Sequence, residues 1–169
     1  MSKISIDGMI RKLDLLNDTI KVTCDESGKL IAEELANDIT ERYNSFISSL
    51  GNDPQDRSDT TISVQRLTSG FYRVDVSGNQ VIYDEYGTGL PGKIHPHPEH
   101  DMNGLDPYLS GQTIRLNSKG IPYWTFGGNI SYGVPSGRFV YNSYIDWADT
   151  KAKTLVSKEL FKNINKWKG

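Results

Sequence analysis

Tyr83-Asp84-Glu85-Tyr86-Gly87-Thr88-Gly89-Leu90-Pro91-Gly92 is the stretch whose reading decides the fold, and Gly133-Val134-Pro135-Ser136-Gly137-Arg138-Phe139 answers it further along. The first segment reads as a strand that ends abruptly in a glycine turn. Gly87 and Gly89 supply the positive φ angles such a turn needs. The second reads as a turn that launches a helix through an aromatic anchor. Neither carries a catalytic signature. The pair points to a chain built to assemble with copies of itself.

Working outward, strand signals precede the first segment. Ile62, Val64 and Leu67 alternate with polar residues, then Tyr72, Val74 and Val76 alternate beyond a turn at Ser69-Gly70. A second turn at Ser77-Gly78-Asn79 leads to Val81 and Tyr83. The spacing predicts an antiparallel meander of short strands, each with one apolar face. Residues 51–60 form a polar loop. Before it, Leu30, Ile31, Leu35, Ile39, Tyr43, Phe46, Ile47 and Leu50 make one stripe at helical spacing. Gly51 and Pro54 end that helix, and Cys24-Asp25-Glu26-Ser27 resembles its start. Met9, Ile10, Leu13 and Leu16 predict a separate short amphipathic helix, and Ile4 and Ile6 an extended arm or short strand.

Downstream, residues 87–120 are rich in Gly, Pro, Asn and Asp without periodicity and read as a long loop, of the kind that is either functional or disordered. Ile121–Phe126 predicts one more strand, broken by Gly127-Gly128. From Phe139 to Trp167 the apolar residues recur at helical spacing, as one helix or as two with a break near Asp149-Thr150. The expected fold is α+β: a small antiparallel sheet covered by a long N-terminal helix and a C-terminal helix, within a single domain spanning 1–169.

Composition narrows the function. The net charge of −2 gives no global attraction to nucleic acid or anionic lipid. One cysteine, Cys24, excludes an internal disulfide and suits a reducing compartment. No stretch approaches the roughly 20 apolar residues of a membrane span, and the N-terminus lacks the apolar run of a signal peptide.

Each motif has a chemical and a structural reading. The Tyr86–Gly92 glycines could cradle a phosphate, but no Lys-Ser/Thr pair and no helix follows them. All histidines lie in His95-Pro96-His97-Pro98-Glu99-His100-Asp101. In an extended segment His95 and His97 face one side, and His100 and Asp101 could complete a metal site serving a small hydrolase. Against that, no rigid element supports the ligands, and a solvent-facing loop that touches a neighbouring subunit is the simpler reading. Nucleophilic catalysis needs a base beside Ser or Cys. Cys24 lacks a Cys-His signature, and Ser136 sits in Pro-Ser-Gly, which is no nucleophile elbow. Asp84 and Glu85 point oppositely in a strand and cannot share a proton. Lys151, Lys153, Lys158, Lys162, Lys166 and Lys168, interleaved with Phe161 and Trp167, suggest a nucleic-acid surface, or more simply a solvated helix face.

With those residues in view, the chain resembles the tail-component family of long-tailed bacteriophages, which includes tail-completion and head–tail joining proteins. The resemblance is carried by the Ile4–Gly8 arm, the long helix, Val81-Ile82-Tyr83-Asp84-Glu85-Tyr86-Gly87-Thr88-Gly89, His97-Pro98, and Pro135-Ser136-Gly137-Arg138-Phe139-Val140-Tyr141-Asn142 before the last helix. It spans roughly residues 4–165. Val140 departs from the family's usual Met or Leu, and the 88–120 loop is particular to this chain. The resemblance implies a ring-forming subunit, expected to be a hexamer, at the head-proximal end of the tail. It implies no catalytic site, metal or cofactor. The expected partners are further copies, the tail tube and the neck or connector, with DNA passing through the bore, and the expected location is the virion after assembly in the host cytoplasm. Ile4, Ile6, Tyr86, Gly87, Thr88, Gly89, His95, His97 and Phe139 are the expected oligomer interface.

Overall fold

The computed structural model describes residues 6–51, 57–88, 91, 94, 97–98, 113, 115–126 and 129–167. In chain order these form α1 (Ile6–Ser49), β1 (Thr61–Thr68), β2 (Phe71–Ser77), α2 (Val81–Tyr86), β3 (Arg115–Leu116), β4 (Pro122–Phe126), β5 (Asn129–Ser131), α3 (Phe139–Asp146), a π-helical turn (Trp147–Lys151) and α4 (Ala152–Trp167). The α+β expectation holds: a long N-terminal helix and C-terminal helices accompany small antiparallel sheets.

Three elements differ from the sequence reading. The expected arm at Ile6 and the two expected N-terminal helices are one continuous helix. Asp25 and Ser27, read as a helix start, lie inside α1 and serve tertiary contacts. The third strand of the expected meander is the short helix α2, whose buried residues are Val81, Asp84 and Glu85. Its inward face is therefore set by two carboxylates, which apolar periodicity cannot register. β1 and β2 thus form a sheet of two strands, while the expected strand near 121–126 is the centre of a separate sheet ordered β3-β4-β5.

The described residues fall into two compact units. The first draws on Met1–Ala36, Val64–Val74 and Ile145–Gly169, the second on Asn37–Ser63 and Asp75–Tyr144.

In the first unit the tip of the β1–β2 hairpin lies against α1. Gly70 adopts φ 77° at the tight turn, and a side chain at Gly28 would meet the Gly70 carbonyl oxygen at 2.7 Å. Asp25 accepts from the Gly70 amide at 2.9 Å, from the Tyr72 hydroxyl at 3.2 Å and from the Arg66 guanidinium at 3.0 Å. The Gly70 N–H, ahead of the Arg66 charge, holds the Asp25 carboxyl below the usual carboxylate range. On another side of α1, Asn163 of α4 donates to Thr23 Oγ1 at 3.0 Å and to Glu26 Oε2 at 3.1 Å.

In the second unit the core gathers Ile39 and Tyr43 of α1, Val81, Trp124, Val134 and Phe139. Phe139 is 0% exposed and meets Tyr43 edge-on, with ring centroids 4.8 Å apart. The three-stranded sheet is antiparallel, with Arg115 opposite Tyr123 and Trp124 opposite Ser131. Asn117 closes the β3–β4 connection, its Oδ1 accepting from the amides of Lys119 and Ile121.

Candidate functional site

The two segments that opened the sequence reading meet in the second unit. α2 ends at Tyr86, and Gly87 turns the chain with φ 79° while its amide donates to the Tyr83 carbonyl at 2.7 Å. The expected positive φ at Gly87 is present, though it closes a helix and not a strand. The chain then runs beside 134–138. Thr88 N donates to Val134 O at 2.7 Å, and Val134 N donates to Thr88 Oγ1 at 3.1 Å. Gly137 N donates to Asp84 O at 2.7 Å, Arg138 N to Glu85 O at 3.2 Å, and Ser136 Oγ to Glu85 O at 2.7 Å. Gly137 is required by proximity: a Cβ there would lie 2.9 Å from Asp84 O and 3.0 Å from Phe46 Cγ.

Glu85 completes the junction. Arg138, whose carbonyl accepts the first helical bond from Asn142 N at 2.9 Å, has no side-chain oxygen with which to cap α3. Glu85 supplies the cap from far back in the sequence. Its Oε2 accepts from Val140 N at 2.9 Å and its Oε1 from Tyr141 N at 2.9 Å. The buried carboxylate sits where the helix dipole favours negative charge. His97 Nε2 lies 3.2 Å from Glu85 Oε1, and because a carboxylate only accepts, that nitrogen carries the proton. The imidazole packs between the rings of Tyr86 and Tyr141 at 4.6 and 4.9 Å.

Asp84 belongs to a separate ion pair. It is 0% exposed and takes a two-pronged Arg57 guanidinium, with Nε–Oδ2 and Nη2–Oδ1 both 2.8 Å. The Tyr43 hydroxyl donates to Oδ2 at 3.3 Å and shares a 2.9 Å bond with Thr60 Oγ1. Burial, the largest cause, pushes the Tyr43 hydroxyl up from its ordinary value, which keeps it protonated as a donor. Asp84 and Glu85 thus point to different partners, as expected, although the separation comes from a helix.

This arrangement fastens backbone to backbone. Glu85 spends its carboxylate on two amides and an imidazole, and Asp84 on a guanidinium and a phenol. Neither faces a described cavity. Two cavities lie elsewhere, one of about 380 Å³ lined by Pro91, Ile94, Asn117, Ser118, Lys119, Ile121 and Tyr132, another of about 260 Å³ beside Trp147 and Lys151. Among the described residues, no group of three or more His, Cys, Asp and Glu could hold a metal ion.

Of the expected interface residues, Gly87, Thr88, His97 and Phe139 are buried within their own chain and offer no surface to a neighbour in this conformation. Tyr86 is half-buried. Ile6 begins α1, while Ile4, Gly89, His95, His100 and Asp101 lie outside the described residues. The sequence reading placed Tyr43 in the apolar stripe but missed its hydroxyl's role, and it missed Arg57 and the capping role of Glu85. The absence of Ser, Thr, Asp or Asn immediately before Phe139 was the available signal that a cap must come from elsewhere.

Six of the exposed large apolar residues lie in the first part of α1. From Asp7 to Val22 no residue of α1 is buried. Met9, Leu13, Leu16 and Ile20 recur at steps of four, three and four, and Leu13 is 63% exposed. The same stripe continues into Thr23 and Ser27, which are buried, and at Thr23 it is covered by Asn163 of α4. The stripe is therefore closed along the stretch that α4 reaches and open beyond it. From Met9 to Ile20 the open part is about 16 Å long at 1.5 Å per residue.

Compared with known proteins, the chain matches no family model, no curated protein and no solved structure.

Proposed function

We propose that this chain is a non-enzymatic assembly subunit of a long-tailed bacteriophage, of the tail-completion or head–tail joining kind. The observation that carries the assembly half of this reading is the open apolar stripe on α1, in which Met9, Leu13 and Ile20 are each about half exposed or more. Contiguous apolar surface of this kind marks a partner-binding site. The phage half rests on the family-like motifs in their expected order. The junction of Glu85 and Thr88 with residues 134–141 gives both motifs a structural purpose, since each fixes the other. In the expected ring, one face of each subunit meets a different face of the next.

The test is sedimentation velocity and negative-stain imaging of the full chain over a concentration series, alone and with purified tail tubes. Ring formation, or capture on the tube ends, is the expected result. Leu13→Asp should abolish it while leaving the circular dichroism unchanged, because the side chain packs on little of its own chain. A chain that stays monomeric at high concentration and ignores the tubes would end the proposal.

A further inference from the structure

We propose that the cavity beside the β3–β4 connection binds a small amphiphilic carboxylate, an apolar body carrying one acid group. The cavity lies wholly within the second unit and measures about 380 Å³, an ordinary size for a small-ligand site. Pro91, Ile94, Ile121 and the Tyr132 ring supply its apolar wall. Two of these stand open to water, Ile94 at 62% and Tyr132 at 42%. A wall of this kind gains free energy by taking up an apolar body.

The rim is polar, and a tight turn sets its chemistry. Asn117 Oδ1 accepts from the amide of Lys119 at 2.9 Å and from that of Ile121 at 3.0 Å. Gly120 N donates to Asn117 O at 2.9 Å, with Gly120 at φ 74°. Those three amides are used inside the turn and offer nothing outward. The side-chain donors left for a ligand are the Lys119 ammonium and the Ser118 hydroxyl, and both residues line the cavity. Lys119 is the single charged residue of the described lining, and among the described residues no carboxylate pairs with it. The site therefore joins an apolar wall to one cation. A carboxylate on an apolar body complements both, whereas an amine of the same shape meets Lys119 as a like charge. The turn is held by its own bonds, so binding orders little of the rim. This inference goes beyond the assembly reading and does not depend on it.

Ligand-observed NMR titration of the full chain with hexanoate, heptanoate, octanoate, octanol and octylamine, all below micelle-forming concentrations, tests it. Each added methylene should tighten carboxylate binding about fourfold, as burial of apolar carbon requires. Octanoate should bind more tightly than octylamine. Lys119→Gln should weaken octanoate about threefold, the size of an exposed ion pair, and leave octanol unchanged. Ile94→Asp sets a charge into the wall at an exposed position. It should weaken octanoate and octanol alike by about tenfold, with circular dichroism unchanged. No saturable octanoate binding, or an affinity indifferent to chain length, overturns the inference. So does octylamine binding as tightly as octanoate, or an Ile94→Asp variant that binds like wild type. A chain that binds octanoate but never assembles ends the assembly reading alone, and one that assembles but ignores octanoate ends this inference alone.

Discussion

Replacing Glu85 tests whether the junction between the two motif segments holds the second unit together. Glu85→Gln keeps the shape of the side chain but leaves one oxygen for two amides, those of Val140 and Tyr141, each now 2.9 Å from a carboxylate oxygen. Its NH₂ group then faces a backbone donor. A charge-assisted hydrogen bond contributes about 1.5–3 kcal/mol, and stranding a buried donor costs a similar amount. Loss of favourable charge at the start of α3 adds about 0.3–1 kcal/mol. Glu85→Gln should therefore destabilise by about 2–3 kcal/mol, and Glu85→Ala by about 3–4 kcal/mol since both amides lose their acceptor. Urea denaturation followed by tryptophan fluorescence reads this through Trp124 and Trp147, both buried. His97→Ala should cost markedly less in the Glu85→Ala background than in the wild type, because the 3.2 Å contact is already gone. A Glu85→Gln variant within about 0.5 kcal/mol of wild type would refute the capping argument.

Two further predictions concern the first unit. Gly28→Ala gains about 1 kcal/mol of helix propensity but forces a methyl to 2.7 Å from the Gly70 carbonyl oxygen, a backbone atom that cannot swing aside. Overpacking of that kind costs about 1–3 kcal/mol, so the net change in denaturation midpoint should be a loss, and a gain would show that the helix and hairpin separate freely. Asp25 titrates at lower pH when folded than when unfolded. Its contribution is therefore present above the unfolded value of about 3.9 and is lost as pH falls through the lower folded value. Thermal melts of wild type and Asp25→Asn should differ at neutral pH and converge in strong acid; a constant gap across the range would contradict the assignment.

The legible parts of the fold were those with apolar periodicity or strong turn chemistry. Leu30 to Leu50 gave the second half of α1, Ser69-Gly70 gave the hairpin, and Pro135-Ser136-Gly137 gave the start of α3. The break near Asp149-Thr150 appears as the π turn. What stayed hidden was written in buried polar residues. Thr23 and Ser27 bridge the two apolar stretches of α1, so the helix reads as two. Asp84 and Glu85 line the inner face of α2, and with only Val81 and Tyr83 to judge by, six residues pass for a strand. β3 and β5, at two and three residues, are too short to show alternation. The contact between the motif segments was invisible because its bonds run mainly to backbone amides, which every sequence possesses.

The π turn at Trp147–Lys151 sets the phase of everything after it. Along the last helices the inward positions are Phe139, Ser143 and Trp147 at steps of four, then Ala152, Leu155, Glu159 and Asn163. The single five-residue step, from Trp147 to Ala152, falls within the π turn. Deleting one residue there would rotate α4 by about 100° relative to Trp147, where the turn begins. Leu160 would move inward to the place Glu159 now holds, and the glutamate would swing out among the lysines. One surplus residue thus decides whether this helix shows its surroundings a uniform sign of charge or a mixed one.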